Sequence, residues 1–423
     1  MNCVTSIHTI FIEEAVRYWA AFFSPVILSF LPKKMRLLDD TATAFATKTD
    51  AELERAYFLF RLIANQPFVR VGQLVTTLAL KTHLPVEGLI RSTVFDHFCA
   101  GTTVEESTKV VEKLAQKQVF SVLDYSVEGA KEEVSLDECY HEIIKTITFS
   151  GSHPYIPFTV FKPTGFGRFS LYEKVSQNQS LTPSEEAEWS RVRQRFIGCC
   201  EAAKKHQMKL LIDAEESWIQ PAINTIVEEL MRTYNRKEPL VYTTAQMYLS
   251  EKLSYLKHLA TEAKKDGFVA GIKLVRGAYM EKENERAATM GYASPLCASK
   301  TQTDENFDAA WQFILNHFDI FALYFGSHNE DSTYALIDAM EERKIPYHHP
   351  HLWFGQLYGM SDHISFNLAK AGFRVSKYLP FGPVRDVLPY LIRRAEENTA
   401  VGGQSIRELV LIKKERKRRK LQE

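Results

Sequence analysis

The chain carries no surplus of either charge: 52 basic and 52 acidic residues cancel over 423 positions. That balance excludes a broad electrostatic pull toward nucleic acid or an anionic membrane. Cysteine is sparse. Cys3, Cys99, Cys139, Cys199, Cys200 and Cys297 are scattered with no CxxC pair, which points to free thiols in a reducing compartment. No GxGxxG or Walker pattern occurs, so a dinucleotide would have to be held without those loops. The apolar run 16–31 is too short for the roughly 20 residues of a spanning helix. Pro25 interrupts it, and Glu13 and Glu14 precede it, unlike a signal peptide or an organellar presequence. It reads as a peripheral membrane helix, a packing arm, or an over-long start with initiation at Met35; the last two are favoured. Internal repeats, low-complexity linkers and a clear second globular domain are also absent.

What is present is globular composition, 45% hydrophobic and 25% charged, ample for a large core. Residues 35 to 115 read as helical, with amphipathic stretches at 51–64 and 107–116. A different rhythm follows. Short apolar runs at 120–124, 158–162, 209–213, 240–244, 269–275, 320–325, 351–355 and 373–379 each precede a longer helix-like segment. Eight such units predict an α/β fold, a (βα)8 TIM-like barrel with an N-terminal helical arm; a doubly wound open sheet is the alternative. The chain then divides into an uncertain extension (1–34), the arm (35–118), the barrel (119–402) and a basic tail (403–423). The tail's run 413–420 is read as solvated, or as a site for anionic lipid.

A barrel places its chemistry at the strand C-termini, and here those ends are polar: Asp124, Lys162, Asp213, Thr244 with Gln246, Lys273 with Arg276, Ser327-His328-Asn329, Gln356, and Ser376 to Tyr378. Asp213 could pair with a helix, hold a substrate, ligate a metal, or close a rim salt bridge. No histidine stands at ligand spacing from it. His348, His349 and His351 are metal ligands by type, but adjacent histidines before a strand are usually loop. Lys273, Arg276 and the small Gly277-Ala278 step, with Ser327-His328 at the next strand end, suit a ligand that combines a ring with a pyrophosphate. Lys162 could form a Schiff base or stay a charged donor; the neighbouring carboxylates favour the charged form. Near the end, Tyr390, Arg393, Arg394 and Glu397 share one helix face, where paired guanidiniums match a carboxylate or phosphate. Pro389 is tolerable in that helix if Asp386 is its N-cap.

These motifs together resemble the proline dehydrogenase family. The resemblance rests on LDYSVEG (123–129), FTVFK (158–162), LIDAEE (211–216), TAQMY (244–248), KLVRGAY (273–279), SHN (327–329), FGQLYGM (354–360), KYLPFG (377–382) and YLIRRAEEN (390–398), in order over roughly 40 to 400. It implies an FAD-dependent barrel that oxidises L-proline to Δ1-pyrroline-5-carboxylate and passes electrons to a membrane quinone. The compact, monofunctional form is expected, with no aldehyde dehydrogenase or DNA-binding module and no nucleic-acid partner. By motif, Arg393, Arg394 and Lys162 would bind the proline carboxylate. Leu357, Tyr378 and Tyr390 would pack on its ring, with Glu397 in the same set. Asp213 and Lys273 would form the catalytic pair, Asp213 orienting Tyr378 and the arginine helix and Lys273 lying by the flavin. Glu128 would gate the site by pairing with Arg393. Gln246, Lys273, Arg276, Gly277, Ala278, Ser327, His328 and Asn329 would contact FAD. Bacterial relatives often carry Arg then Lys in the strand motif; here Lys273 precedes Arg276, so a point donor replaces a fork. No metal is implied. The expected location is the bacterial cytoplasm with peripheral membrane contact; a mitochondrial matrix is the alternative.

Overall fold

The computed structural model describes residues 37–63, 88, 91–126, 132–400 and 404–421. The apolar run 16–31, Met35, Glu128 and the side chain of Glu397 lie outside the described residues. Eight strands form in chain order: β1 (Phe120–Tyr125), β2 (Phe158–Phe161), β3 (Lys209–Ile212), β4 (Val241–Gln246), β5 (Ala270–Val275), β6 (Phe321–Gly326), β7 (Leu352–Leu357) and β8 (Val375–Phe381). Each pairs parallel with the next, and β8 closes on β1 with Val122 opposite Tyr378 and Asp124 opposite Pro380. This is the closed barrel, not the open sheet. All eight expected strands are present, with ends shifted by one or two residues.

The strands read as nearly continuous apolar runs because both of their faces are covered. Phe158, Tyr242, Tyr324 and Trp353 fill the barrel interior. Gly355 makes room for them: a Cβ there would stand 2.3 Å from the Tyr324 ring. Outward residues such as Leu210, Ile272 and Leu379 pack under the helices.

Before the barrel come α1 (Asp50–Ile63) and α2 (Val104–Ala115). Around it lie α3 (Glu133–Ser150), α4 (Phe169–Ser176), α5 (Pro183–Lys205), α6 (Gln220–Tyr234) and α7 (Lys252–Asp266). They are followed by α8 (Met280–Met290), α9 (Lys300–Asn316), α10 (Glu330–Glu342), α11 (Asp362–Lys370) and α12 (Val384–Ala400). Starts and stops follow local chemistry. Thr182 and Glu185 form a capping box ahead of Pro183 on α5, and Gly267 ends α7 in the left-handed region at φ 70°.

Two expectations need correction. The basic run is not a solvated tail, because most of it belongs to α13 (Gln404–Arg418), which packs on the N-terminal arm. Leu411 and Ile412 are buried with Phe45, Leu53 and Phe60, contributing about 1.5–3 kcal/mol each. Arg416 pairs with Glu54 at 2.6 Å and stacks on Tyr57, while Arg419 meets Asp50 at 2.9 Å. Asp386 is not the N-cap of α12 either. The helix begins at Val384, and the amides of Asp386 and Val387 donate to the Pro383 carbonyl. Pro389 therefore sits inside the helix. It is on the exposed side, where water can solvate the carbonyl that its missing N–H leaves unbonded.

Candidate active site

Because all strands run the same way, every C-terminal end opens on one mouth. Asp213, directly after β3, receives Lys273 Nζ of β5 on Oδ1 at 2.6 Å and the Tyr378 hydroxyl of β8 on Oδ2 at 2.8 Å. Three strands thus meet at one carboxylate. Burial alone would raise its pKa, but the charges of Lys273 and Lys162 and these two hydrogen bonds hold it below the ordinary carboxylate value. Lys273 also lies 4.6 Å from the centre of the Tyr378 ring, a cation–π contact that fixes both. Tyr378 keeps its proton: burial first, then Asp124 and Asp213, push its pKa well up.

Lys162 follows β2 and lies 3.1 Å from Asp124 Oδ2 in a pair that is 7% and 0% exposed. Ser126 adds a hydroxyl to the same carboxylate. So deep a lysine is accommodated because its charge is matched there. Arg394, nearly buried, lies over the Tyr390 ring at 5.0 Å; Arg393 lies over Tyr279 at 5.6 Å. The helix bearing them starts at Val384, three residues after β8 ends at Phe381, and both guanidiniums line the same mouth.

On the β4–β6 side, the Gln246 amide donates to the Glu215 carbonyl at 2.7 Å and accepts from the Ala278 amide at 3.3 Å. Gly277 has φ 132°, and a Cβ there would meet the Tyr248 ring at 2.3 Å. Only glycine fits. Arg276 is anchored by Asp304 at 2.6 Å and by the hydroxyls of Ser327 and Ser332. Burial, then the charges of Lys377 and Arg394, keep the His328 imidazole neutral. Its Nε2 accepts from the Leu357 amide, which puts the proton on Nδ1, 2.9 Å from Ser361 Oγ.

One cavity of about 1200 Å³ joins these groups. Lys162, Asp213, Gln246, Lys273, Arg276, Gly277, Ala278, Ser327, His328, Asn329, Leu357, Tyr378, Tyr390, Arg393 and Arg394 all line it. That exceeds the roughly 300–1,000 Å³ of an ordinary small-molecule pocket. Three expectations change in detail. Asp213 has both oxygens engaged by Lys273 and Tyr378, so its orienting contact is with β5 and β8. The Asn329 side-chain oxygen accepts from the Ser332 amide as the N-cap of α10. Both ring nitrogens of His328 serve the loop after β7. The histidine cluster lies at the opposite end of the barrel, with His351 Nε2 3.0 Å from Glu238. Among the described residues no three His, Cys, Asp or Glu side chains gather to hold a metal.

Two groups at the mouth were not singled out from sequence. Asp124, the partner of Lys162, is visible there only as a polar strand end. Tyr279 closes the KLVRGAY motif and lies beneath Arg393, but an aromatic at that point reads equally well as core.

Comparison with known proteins bears on the family and the fold. A profile of the family described as proline dehydrogenase matches residues 107–407. The carbapenem antibiotics biosynthesis protein CarD of Pectobacterium carotovorum subsp. carotovorum is 36% identical over 333 residues, covering 79% of this chain and 86% of that one. Mitochondrial proline dehydrogenase 1 of Dictyostelium discoideum is 31% identical, over 90% of this chain and 74% of its own. Among solved structures, proline utilization A of Bdellovibrio bacteriovorus, inactivated by N-propargylglycine, superposes with TM-score 0.66 at 19% identity and shares the fold. The alignment covers 84% of this chain and 38% of that longer one. On the family match and these identities, the chain belongs to the proline dehydrogenase family.

Proposed function

We propose that this protein oxidises L-proline to Δ1-pyrroline-5-carboxylate using FAD, and that its electrons pass to a membrane quinone. One observation carries the reading. Three cations (Lys162, Arg393, Arg394) and the side chains of Leu357, Tyr378 and Tyr390 line the same mouth as the Lys273–Asp213–Tyr378 group. Such a mouth suits a small acid with an apolar ring.

The residues fit the cofactor. The cavity has room for a dinucleotide beside a small acid. Gly277 and Ala278 are small residues in the cavity lining, and Arg276 is held rigidly at the adjoining strand end. Bound along Gln246, Lys273, Arg276, Gly277, Ala278 and Ser327, FAD would supply the hydride-accepting chemistry. The protein's task is then positioning. Arg393 and Arg394, with Lys162, clamp the carboxylate, which leaves the far side of the ring turned toward β5. Leu357, Tyr378 and Tyr390 cover the ring and exclude water. Lys273 holds a positive charge where negative charge develops. Asp213 stays ionised, one hydrogen bond on each oxygen, and organises the site by holding Lys273 and Tyr378. The amine must be neutral to expel hydride.

The Lys162–Asp124 pair argues against a lysine-dependent lyase, because a Schiff-base amine must be neutral to attack. A hydroxyproline dehydrogenase is disfavoured by Tyr378, whose ring is pinned by Asp213 and Lys273. Membrane contact is supported by the outer face of α13, where Ile406 (58% exposed) and Val410 (50%) stand beside Lys413 and Lys417. Among the described residues no helix is long and apolar enough to cross a membrane. The five described cysteines are free thiols, which fits a reducing bacterial cytoplasm. The visible spectrum of purified protein tests the reading: oxidised-flavin bands that bleach on adding L-proline are expected, and a colourless protein inert to proline overturns it.

A further inference from the structure

The loop between β7 and α11, residues 358–361, carries Met360 into the cavity next to Leu357. Its ends are tied backbone to backbone, Tyr358 N–H to the Tyr378 carbonyl at 3.0 Å and the Ser361 carbonyl to the Ile364 amide at 3.0 Å, and its middle is held by side chains. Gly359 has φ 78°, which glycine adopts freely, but Ser361 has φ 50°, a conformation that a non-glycine residue keeps only when its surroundings impose it. From β8, the fully buried Lys377 donates to the Met360 carbonyl at 2.5 Å and to Asp362 at 2.9 Å. The other holders come from outside the barrel. His97 Nε2 lies 3.0 Å from the Gly359 carbonyl. Burial pushes the His97 pKa down to about 3, so this contact is a neutral N–H donating. A Cβ at Gly359 would stand 2.3 Å from the His97 carbonyl, so the arm and the loop touch backbone to backbone. Glu408 of α13 accepts from the Ser361 amide, and Lys48 of the arm binds Asp362 Oδ2 at 3.1 Å.

Lys48, His97 and Glu408 all lie outside residues 107–407, the part matched to the family. A helical arm needed only to cover apolar surface would not require these polar contacts, made by the buried Glu408 and the half-buried Lys48 and His97, since polar groups removed from water are costly unless satisfied. We infer that Lys48, His97 and Glu408 are positioning residues, which fix the β7–α11 loop so that Leu357 and Met360 shape the substrate side of the cavity. The arm and α13 are on this account part of the site. The inference rests on the proposed proline oxidation, which it deepens.

The test uses the full chain with its cofactor and four variants: His97→Phe, which keeps the ring contacts with Phe60 and Phe98 but removes the donor; His97→Gln, which restores one; Leu357→Ala; and His97→Phe with Leu357→Ala. Hydrogen–deuterium exchange at residues 358–361 is read beside KM and kcat for L-proline. In His97→Phe the loop amides should exchange faster while β1–β8 stay protected, and KM should rise on the order of tenfold with a smaller change in kcat. His97→Gln should recover most of both effects. On a Leu357→Ala background, His97→Phe should raise KM no further. Unchanged loop exchange, an unchanged KM, or the full KM rise persisting without Leu357 overturns the inference. Should His97→Phe fail to fold, Glu408→Leu against Glu408→Gln carries the same comparison. If wild type does not oxidise proline, the proposed reaction fails; the exchange data then still show whether the clamp exists.

Discussion

The Tyr378 hydroxyl donates to Asp213 Oδ2 at 2.8 Å, tying the last barrel strand to the third across the mouth. The bond sets the angle of the Tyr378 ring and helps keep Asp213 ionised. A residue expected to contact substrate is thereby also a structural partner of the carboxylate.

Tyr378→Phe keeps the ring and loses the hydroxyl's bond to Asp213, so stability should fall by about 1.5–3 kcal/mol, the range for a hydrogen bond to a charged group. Tyr378→Ser should also make room beside the substrate ring and raise kcat/KM for 4-hydroxyproline relative to L-proline. Chemical denaturation and paired kinetics check both. Wild type turning over the two substrates equally well would contradict the proposed selectivity.

Lys162→Met should be costlier than its surface equivalents, because it leaves Asp124 buried without its cation; about 3–5 kcal/mol is expected. Lys162→Met with Asp124→Ala should recover much of that stability without recovering proline affinity. Denaturation midpoints and KM, read together, separate the two roles.

Arg393→Ala and Arg394→Ala combined should lower kcat/KM by roughly 10²–10⁴-fold, from two charge-assisted contacts of about 1.5–3 kcal/mol each. Circular dichroism should stay native. Wild-type kinetics in the double variant would remove the basis of the proposed reaction.

Two pH effects are separable. A depressed carboxylate stabilises the fold above its unfolded pKa and loses that contribution as pH falls through its folded value. The stability advantage of wild type over Asp213→Asn should thus be full at pH 7 and shrink once pH drops below about 4. Activity should instead rise with pH until the bound proline amine is deprotonated. His328 is neutral throughout that range, so His328→Gln should leave the shape of the profile unchanged. Urea melts and kcat/KM profiles provide the readings.

The barrel was legible because eight buried parallel strands must be apolar on both faces, which leaves runs such as 209–213 and 269–275 conspicuous. The polar residues ending those runs were legible for the complementary reason: charge directly after a buried strand needs a function or a partner. Pairing was not legible. Nothing local in LDYSVEG shows that Asp124 faces Lys162, 38 positions on, or that Asp213 would hold both Lys273 and Tyr378. The basic run 413–420 was misread because composition suggests a solvated tail, whereas Leu411 and Ile412 give α13 an apolar side that only the folded arm can cover.

Composition and periodicity by themselves determined the strand count, the end of the barrel that bears the chemistry, and the residue types gathered there. Those properties depend on neighbours a few positions apart. Which charge neutralises which, where the His328 proton sits, and how Lys48, His97 and Glu408 reach the β7–α11 loop were decided by closure of the barrel and docking of the N-terminal arm and α13. Electrostatic and hydrogen-bond energies act through space at about 3 Å, and chain separation carries no record of that distance.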